Sequence, residues 1–448
     1  MRRLTRSLIA LTFCSLLPAA GGHASHALSL AAPPSAIVDV NVVTMDVDAV
    51  LPRQTVIIAA GRIVALGPVD TVAVPAGATV IDGAGRYLMP ALTDMHVHVE
   101  TPADLRFYLA YGVTTVRNMN GRPQHLRWRD EIAQGTRVGP RMVTAGPCMG
   151  ELPCACDGVT AAAYAARVAA QQAQGYDFIK VYDYLPADAY AAVLAAAAEL
   201  GLDVVGHVPD TVRLDRVLAS GQRSIEHLDG YSSLQADDRP ALIAQTVEHG
   251  VWNTPTLVIW QRFRPADGAP SPAQLAMRRY AAHHAKSTLC TPADFATRAY
   301  ALGPVSAQRR DLVAALHAAG APLLLGTDAP HLCTVPGYAT HQELQNFVDA
   351  GLTPYAALRT ATVNPARFWD ELDTRGTVAV GKVADLLLLR ADPLADVRAT
   401  LEIVGVMQDG VWMTPADLFQ RVEQGASRHE VRSRPLREAE DYAMFADR

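Results

Sequence analysis

The stretch Asp94-Met95-His96-Val97-His98 carries two histidines two residues apart at the end of an apolar run. Residues i and i+2 of a strand point to one face, so both imidazoles would leave such a strand together, as a metal's ligand shell requires. Alone the pair is a weak signal, because two ordinary histidines can share this spacing. The rest of the chain adds Lys180 in Phe178-Ile179-Lys180-Val181-Tyr182, His207 in Val205-Gly206-His207-Val208, His227 in Ser224-Ile225-Glu226-His227, and Asp328 in Leu325-Gly326-Thr327-Asp328-Ala329. Each has a plainer reading. His207 and His227 could be core or surface histidines, Lys180 could sit in a salt bridge, and Asp328 could cap a turn. Lys180 is the oddest, since a lysine in an apolar strand is costly unless paired or chemically altered. The plain readings multiply badly, because all six residues would have to reach strand ends by chance. His125, His249, His283, His284, His317 and His429 fall in helix-like or loop contexts and read as structural. His331 follows Asp328 closely enough to line a pocket, whereas His341, on a helix, reads as packing or capping.

The elements that must position these groups alternate between strand and helix patterns. The expected strands are Leu88–His98, Val113–Asn118, Arg141–Ala145, Asp177–Tyr182, Asp203–Val208, Arg223–Leu228, Val251–Leu257 and Pro322–Asp328. Each is followed by a segment that can hold a helix, such as the alanine-rich Pro186–Leu200. Eight such pairs make the count of an α/β (β/α)8 barrel over residues 89–375, with the ligand-type residues converging at the strands' C-terminal ends. Two Val- and Ile-rich segments with hairpin turns flank it, at 28–88 and 376–425. They predict one small β-sandwich built from both ends of the mature chain. The connection Trp260 to Arg310 could be a lid, and the charged residues 426–448 read as a solvated tail.

A chain of 448 residues, half of them hydrophobic and 19% charged, suits a large barrel with a smaller domain and not a disordered protein. A net charge of −6 argues against nucleic acid as partner. No internal apolar run is long enough to span a membrane. Residues 1–27 form a charged, then apolar, then small-residue leader, and predict a signal peptide with export to a periplasm or the exterior. Five cysteines remain beyond it, Cys148, Cys154, Cys156, Cys290 and Cys333. Their spacing matches no common zinc pattern, so a loop staple or unpaired thiols are expected. A homo-oligomer is compatible with the sequence.

The chain resembles the amidohydrolase superfamily, specifically its imidazolonepropionase-like and Xaa-Pro-dipeptidase-like metal-dependent hydrolases. The resemblance rests on PALTDMHVH, YGVTTVRN, YDFIKVYD, VVGHVPD, SIEHLDGY, LGTDAP, HQELQNFVDAGLTPYAALRTATVNPA and GTVAVGKVADLLLL, which cover nearly all of the mature chain. Ala91-Leu92-Thr93 departs from the Gly-Leu-Ile of many relatives at a position that touches packing. The resemblance implies two divalent metal ions, with zinc the leading choice. His96 and His98 match the ligands of one metal, His207 and His227 those of the other. Lys180 matches a lysine carboxylated by CO2 into a bridging carbamate. Asp328 matches a carboxylate that binds the first metal and acts as general base and acid on a bridging hydroxide. Tyr231 resembles a tyrosine that polarises the scissile carbonyl. From position alone, Arg117, Tyr182 and His331 would line the pocket.

The implied activity is hydrolysis of an amide bond in a small substrate, such as a dipeptide or an N-acyl amino acid. Three alternatives stay open on the sequence: a mononuclear cyclic-amide hydrolase or deaminase, a lactone, organophosphate or acyl-toxin hydrolase on the same metals, and a non-catalytic metal-binding protein.

Overall fold

Strands rich in Val, Ile and Leu at both ends of the chain bury one face and meet in a single mixed sheet. Its members are β1 (Ser35–Val43), β2 (Val50–Ala59), β3 (Arg62–Pro68), β4 (Thr79–Asp82) and β5 (Tyr87–Pro90) from the first part of the chain. They are joined near the far end by β13 (Leu386–Leu389), β14 (Ile403–Gln408) and β15 (Val411–Met413). The order is β15-β14-β13-β5-β1-β2-β3, with β4 beside β1. The sheet curls, since Ile63 N–H donates to Lys382 O at 2.9 Å and Ala384 N–H to Gly61 O at 2.9 Å. It closes over Ile37, Val42, Val56, Ile58, Leu88, Leu386, Leu388 and Met407. The expected sandwich of two sheets is therefore replaced, among the described residues, by one curled sheet. The computed structural model describes residues 33–150, 159–231, 238–260, 276, 307–331 and 334–426. The expected leader, Cys154, Cys156, Cys290, Cys333, nearly all of the 260–310 connection and the tail beyond residue 426 lie outside them.

Between the two terminal segments lie β6 (Leu92–Val97), β7 (Val113–Asn118), β8 (Arg141–Thr144), β9 (Ile179–Val181), β10 (Val204–Gly206), β11 (Ser224–Glu226) and β12 (Trp252–Thr254). All pair in parallel, as β6-β7-β8 and as β9-β10-β11-β12. Single bridges link Ala145 to Phe178 and Met149 to Val181 across the gap between the two ladders. The expected strand Leu88–His98 is two strands, because the chain changes sheets at Ala91, whose N–H donates to Asp385 O at 2.9 Å. The expected eighth strand, Pro322–Asp328, forms no regular ladder. It is nonetheless hydrogen-bonded on both sides: Leu324 N–H donates to Asn253 O at 2.9 Å, and Met95 N–H to Leu325 O at 2.8 Å. The parallel strands thus stand in the order of a TIM-type barrel, as two ladders and an extended segment, not as one continuous closed sheet.

Helices pack outside these strands. Ala161–Gln174 begins where Thr160 Oγ1 accepts the Ala163 N–H at 3.2 Å, a side-chain cap for one of the four unpaired donors of a helix start. Its partner Ala187–Leu200 buries Tyr190, Val193 and Ala197. Such alanine-rich helices lose little side-chain entropy and lie close to the strands they cover. The barrel core gathers Leu92, Val116, Ile179, Val181, Ile225, Leu323, Leu344 and Phe347, among others.

Candidate metal centre

His96 and His98 leave the end of β6 on one face, with ring centroids 5.5 Å apart. Lys180 stands in the middle of β9 and is 0% exposed. His207 follows β10 and His227 follows β11. The rings touch in series, with centroids 4.6 Å apart for His96 and His227, and 4.9 Å for His207 and His227. Asp328 closes the group: its Oδ1 lies 3.0 Å from His98 Nε2 and 3.3 Å from His96 Nε2. Residues from five different segments therefore meet at one end of the parallel strands.

Backbone geometry makes this meeting sterically feasible. His227 has φ +58° and Asp328 φ +57°, left-handed conformations that cost most residues about 1–3 kcal/mol. At His227 this breaks the strand alternation, so that Glu226 and His227, neighbours in sequence, both face the centre. Gly326 is required by close approach: a Cβ there would lie 2.6 Å from His96 Cβ and 2.4 Å from Thr254 Cγ2. Gly206 serves the same end before His207, because a Cβ would lie 2.1 Å from Val181 O.

The second nitrogen of three imidazoles is already committed. His96 Nδ1 lies 2.8 Å from Glu226 Oε2, His207 Nδ1 2.8 Å from Asp183 Oδ1, and His227 Nδ1 2.7 Å from Thr256 Oγ1. The two carboxylates can only accept, so they place a proton on Nδ1 of His96 and His207 and leave Nε2 to face the centre, whereas the Thr256 hydroxyl, able to donate or accept, orients the His227 ring. The atoms then left over are telling. Among the described residues, His207 Nε2 and Lys180 Nζ are buried without a hydrogen-bond partner, and His96 Nε2, His98 Nε2 and Asp328 Oδ1, which face one another at 3.0 and 3.3 Å, make no well-aligned hydrogen bond. Buried polar groups are rarely left so, and five in one place mark atoms that await a further group. Nitrogen and carboxylate donors at this density fit a divalent cation. Three sets, His96, His227 and Asp328, then His98, Asp328 and His331, and then Asp183, His207 and Asp229, have ligand atoms within 4.8 Å of one another.

Burial and Lys180 oppose charge on His207, but Asp183 and Asp229 outweigh them and raise it above its ordinary value. Burial pushes the Lys180 ammonium down from the usual lysine value, which favours the free amine. Burial and the neighbouring His331 push His98 down to about 3, against the pull of Asp328, so it is neutral near pH 7. Burial alone would raise Asp328, but His331 and His96 outweigh it and hold the carboxyl well below its usual range.

Some expected residues sit elsewhere. Tyr231 does not reach the centre in this structure. Its hydroxyl lies 2.5 Å from Thr246 Oγ1, in the core behind the strands, and burial raises it to about 12. Arg117 does not line a pocket either. It is fully buried under the centre and donates to Met95 O at 2.5 Å, Ser224 Oγ at 3.2 Å and Glu226 Oε1 at 2.8 Å. Tyr182 and His331 do lie at the centre: the Tyr182 ring is 4.3 Å from His207 and 4.7 Å from Lys180 Nζ, and the His331 ring stacks on His98 at 4.1 Å. His341 is a packing residue, with Nδ1 2.8 Å from Thr400 Oγ1 and Nε2 2.9 Å from Tyr111 O.

Sequence reasoning missed Glu226, Asp183, Asp229, Thr256 and Asp94 as supports. Asp94 is fully buried and accepts from Thr327 Oγ1 at 2.7 Å and Thr340 Oγ1 at 3.1 Å, tying β6 to the segment that carries Asp328. Its place two residues before His96, on the same strand face, was the available signal. Glu226 had none, since an ideal strand would turn it away from His227.

Comparison with known proteins agrees with this centre. Residues 87–413 match the amidohydrolase family. No curated protein matches the chain in sequence. Among solved structures, a Xaa-Pro dipeptidase with bound methionine in the active site is 20% identical, with a TM-score of 0.66, and the match covers 85% of this chain and 100% of that one. A prolidase complexed with N-methylphosphonate-L-proline is 21% identical, with a TM-score of 0.64 over 85% of this chain and 99% of that one. A bottromycin amidohydrolase is 27% identical, with a TM-score of 0.66 over 88% of this chain and 91% of that one. With its fold, its donor set and a family match over most of its length in agreement, the chain belongs to the amidohydrolase family of metal-dependent hydrolases that act on carbon–nitrogen bonds.

Proposed function

We propose that the protein hydrolyses the amide bond of a dipeptide or an N-acyl amino acid at a centre of two divalent metals, zinc by preference. The observation that carries this reading is the gathering, at one end of the parallel strands, of five buried ligand-type atoms that make no well-aligned hydrogen bond among the described residues. His96, His98 and Asp328 would hold one metal, and His207 and His227 the other. Lys180 would bridge them as a carbamate, formed when its neutral amine attacks CO2 and releases a proton. A lysine amine has one lone pair and no charge, whereas the carbamate has two oxygens and a negative charge. When bound, the metals supply a water whose pKa is lowered from 15.7 to about 7, and a Lewis acid for the carbonyl.

The chain's own groups do the rest. Asp328, held ionised, takes a proton from the attacking water and passes it to the leaving amine. Glu226 and Asp183 keep two imidazoles in the ligand tautomer, and Thr256 orients the third. Tyr182 and the half-exposed His331 form walls of the site, at 4.3 Å from His207 and 4.1 Å from His98. The structural neighbours that are a dipeptidase, a prolidase and a peptide amidohydrolase support a peptide-like substrate. Export to a periplasm or the exterior is part of the same reading and rests on the leader alone.

The test is a substrate panel of Xaa-Pro and Xaa-Arg dipeptides and N-acyl amino acids beside lactones and phosphotriesters. Amide hydrolysis that vanishes in Asp328→Asn, with metal retained, supports the reading. Turnover of lactones or phosphotriesters alone would sink the substrate class.

A further inference from the structure

Three histidines of the centre rest on three different supports. Thr256 is a neutral partner for His227. Asp183 and Asp229, partners of His207, have side chains 23% and 26% exposed and so share their charge with solvent. His96 alone rests on a carboxylate that is 0% exposed and itself clamped. Glu226 Oε1 accepts from Arg117 Nη2 at 2.8 Å and from Ser224 Oγ at 2.6 Å. Ser224 and Glu226 are i and i+2 on β11, so one strand face presents both. Arg117 reaches them from β7, held by Met95 O at 2.5 Å and Thr254 Oγ1 at 3.3 Å. Both hydrogen bonds that Glu226 accepts from this clamp fall on Oε1. That leaves Oε2, among the described residues, for a single partner, His96 Nδ1 at 2.8 Å.

We infer that Glu226 is a positioning residue for the metal centre, clamped by Arg117 so that its free oxygen holds His96 with the proton on Nδ1 and bare Nε2 towards the metal. The inference rests on the metal reading above. A buried Arg–Glu pair could instead be no more than a core contact, and the two roles part in one respect. A core contact needs only charge balance, whereas positioning needs an acceptor facing His96.

Glu226→Gln separates them. Arg117 and Ser224 donate towards the Oε1 position, so the glutamine must place its carbonyl there. Its NH2 then faces His96 Nδ1 and forces the proton onto Nε2, the nitrogen the metal needs. Metal affinity measured by chelator competition should fall about ten- to a hundredfold for one of the two metal equivalents. Adding Arg117→Met frees the amide to turn its oxygen to His96, so the double variant should regain most of that affinity. The visible spectrum of the cobalt-substituted protein should change in the single variant and return in the double. Wild-type affinity in Glu226→Gln, or no recovery in the double variant, overturns the inference while the metal reading stands. A wild-type chain that takes up no metal overturns both. Should the single variant not fold, 15N shifts of His96 in the metal-stripped wild type decide. Protonated Nδ1 with bare Nε2 is expected, and the opposite tautomer overturns the proposal.

Discussion

The two ends of the parallel strands treat charge in opposite ways, part-buried and paired at one end, fully buried at the other. At the end where β6, β7 and β8 begin, Arg141 grips both oxygens of Glu371 at 2.5 and 2.6 Å, Arg375 pairs with Asp385, and Lys382 Nζ donates to Leu372 O at 2.6 Å. A cavity of about 30 Å³ between these groups is lined by Thr93, Thr115, Trp369 and the same ion pairs. Each of these charges has a protein partner, and folding alone accounts for them. At the other end, among the described residues, Lys180 Nζ, three imidazole nitrogens and Asp328 Oδ1 are buried without a well-aligned hydrogen bond. The contrast teaches that buried polar groups by themselves mark nothing. Their being left unsatisfied does, because the fold bears that cost for a group it expects to bind.

Lys180→Met strikes the contrast hardest. Turnover should fall on the order of a thousandfold, the equivalent of about 4 kcal/mol of transition-state stabilisation. The metal-stripped variant should nonetheless be more stable than the metal-stripped wild type by about 1–3 kcal/mol, since an unpartnered buried amine is gone. Denaturant melts of both stripped proteins check this, and equal or lower stability would remove the contrast. Metal at a hundred times its Kd should stabilise the wild type by about 2.7 kcal/mol and leave the variant nearly unmoved.

A satisfied buried histidine should behave differently. Burial lowers His341 from 6.5 to about 4, while its bond to Tyr111 opposes the shift. Its folded-state value lies below its unfolded one. Its contribution is therefore complete above pH 6.5 and is lost as pH falls from 6.5 towards 4, because the unfolded chain takes up the proton first. The loss is on the order of 3 kcal/mol. His341→Asn should flatten that part of the stability–pH curve without altering metal content, and an unchanged slope would refute the assignment.

The smallest effect belongs to the paired end. Arg375→Met leaves Asp385, whose carboxyl burial raises to about 6, with the Asp409 N–H at 2.8 Å as its remaining hydrogen bond among those seen here. A cost of about 1–3 kcal/mol is expected near pH 7, with metal stoichiometry and turnover unchanged. Loss of metal in this variant would show that the two ends are coupled.

Much of the grouping of donor residues was legible in the sequence because these residues obey local rules. His96 and His98 follow the two-residue period of a strand, and Lys180, His207, His227 and Asp328 each close or occupy a short apolar segment. The parallel order of these segments followed from their alternation with helices. The curled sheet was half legible: both ends of the chain read as β, but whether they would make two layers or one depends on β5 pairing with both β1 and β13. Tyr231 misled because four residues after His227 is a statement about the chain, while the turn through Leu228, at φ +59°, carries its ring into the core.

The sequence by itself determined which donor atoms the protein owns and which strand ends carry them. It did so because side-chain type and strand period are local properties. Only the tertiary structure decided what each donor is free to do. Glu226 meets His96 across 130 residues, and Arg117 meets Glu226 across 109. The left-handed turn at His227 that lets neighbours share one face is imposed by packing at the strand ends and is favoured by neither residue. Tautomer, partner and orphaned atom are properties of contacts, and contacts at such separations exist only once the strands have come together.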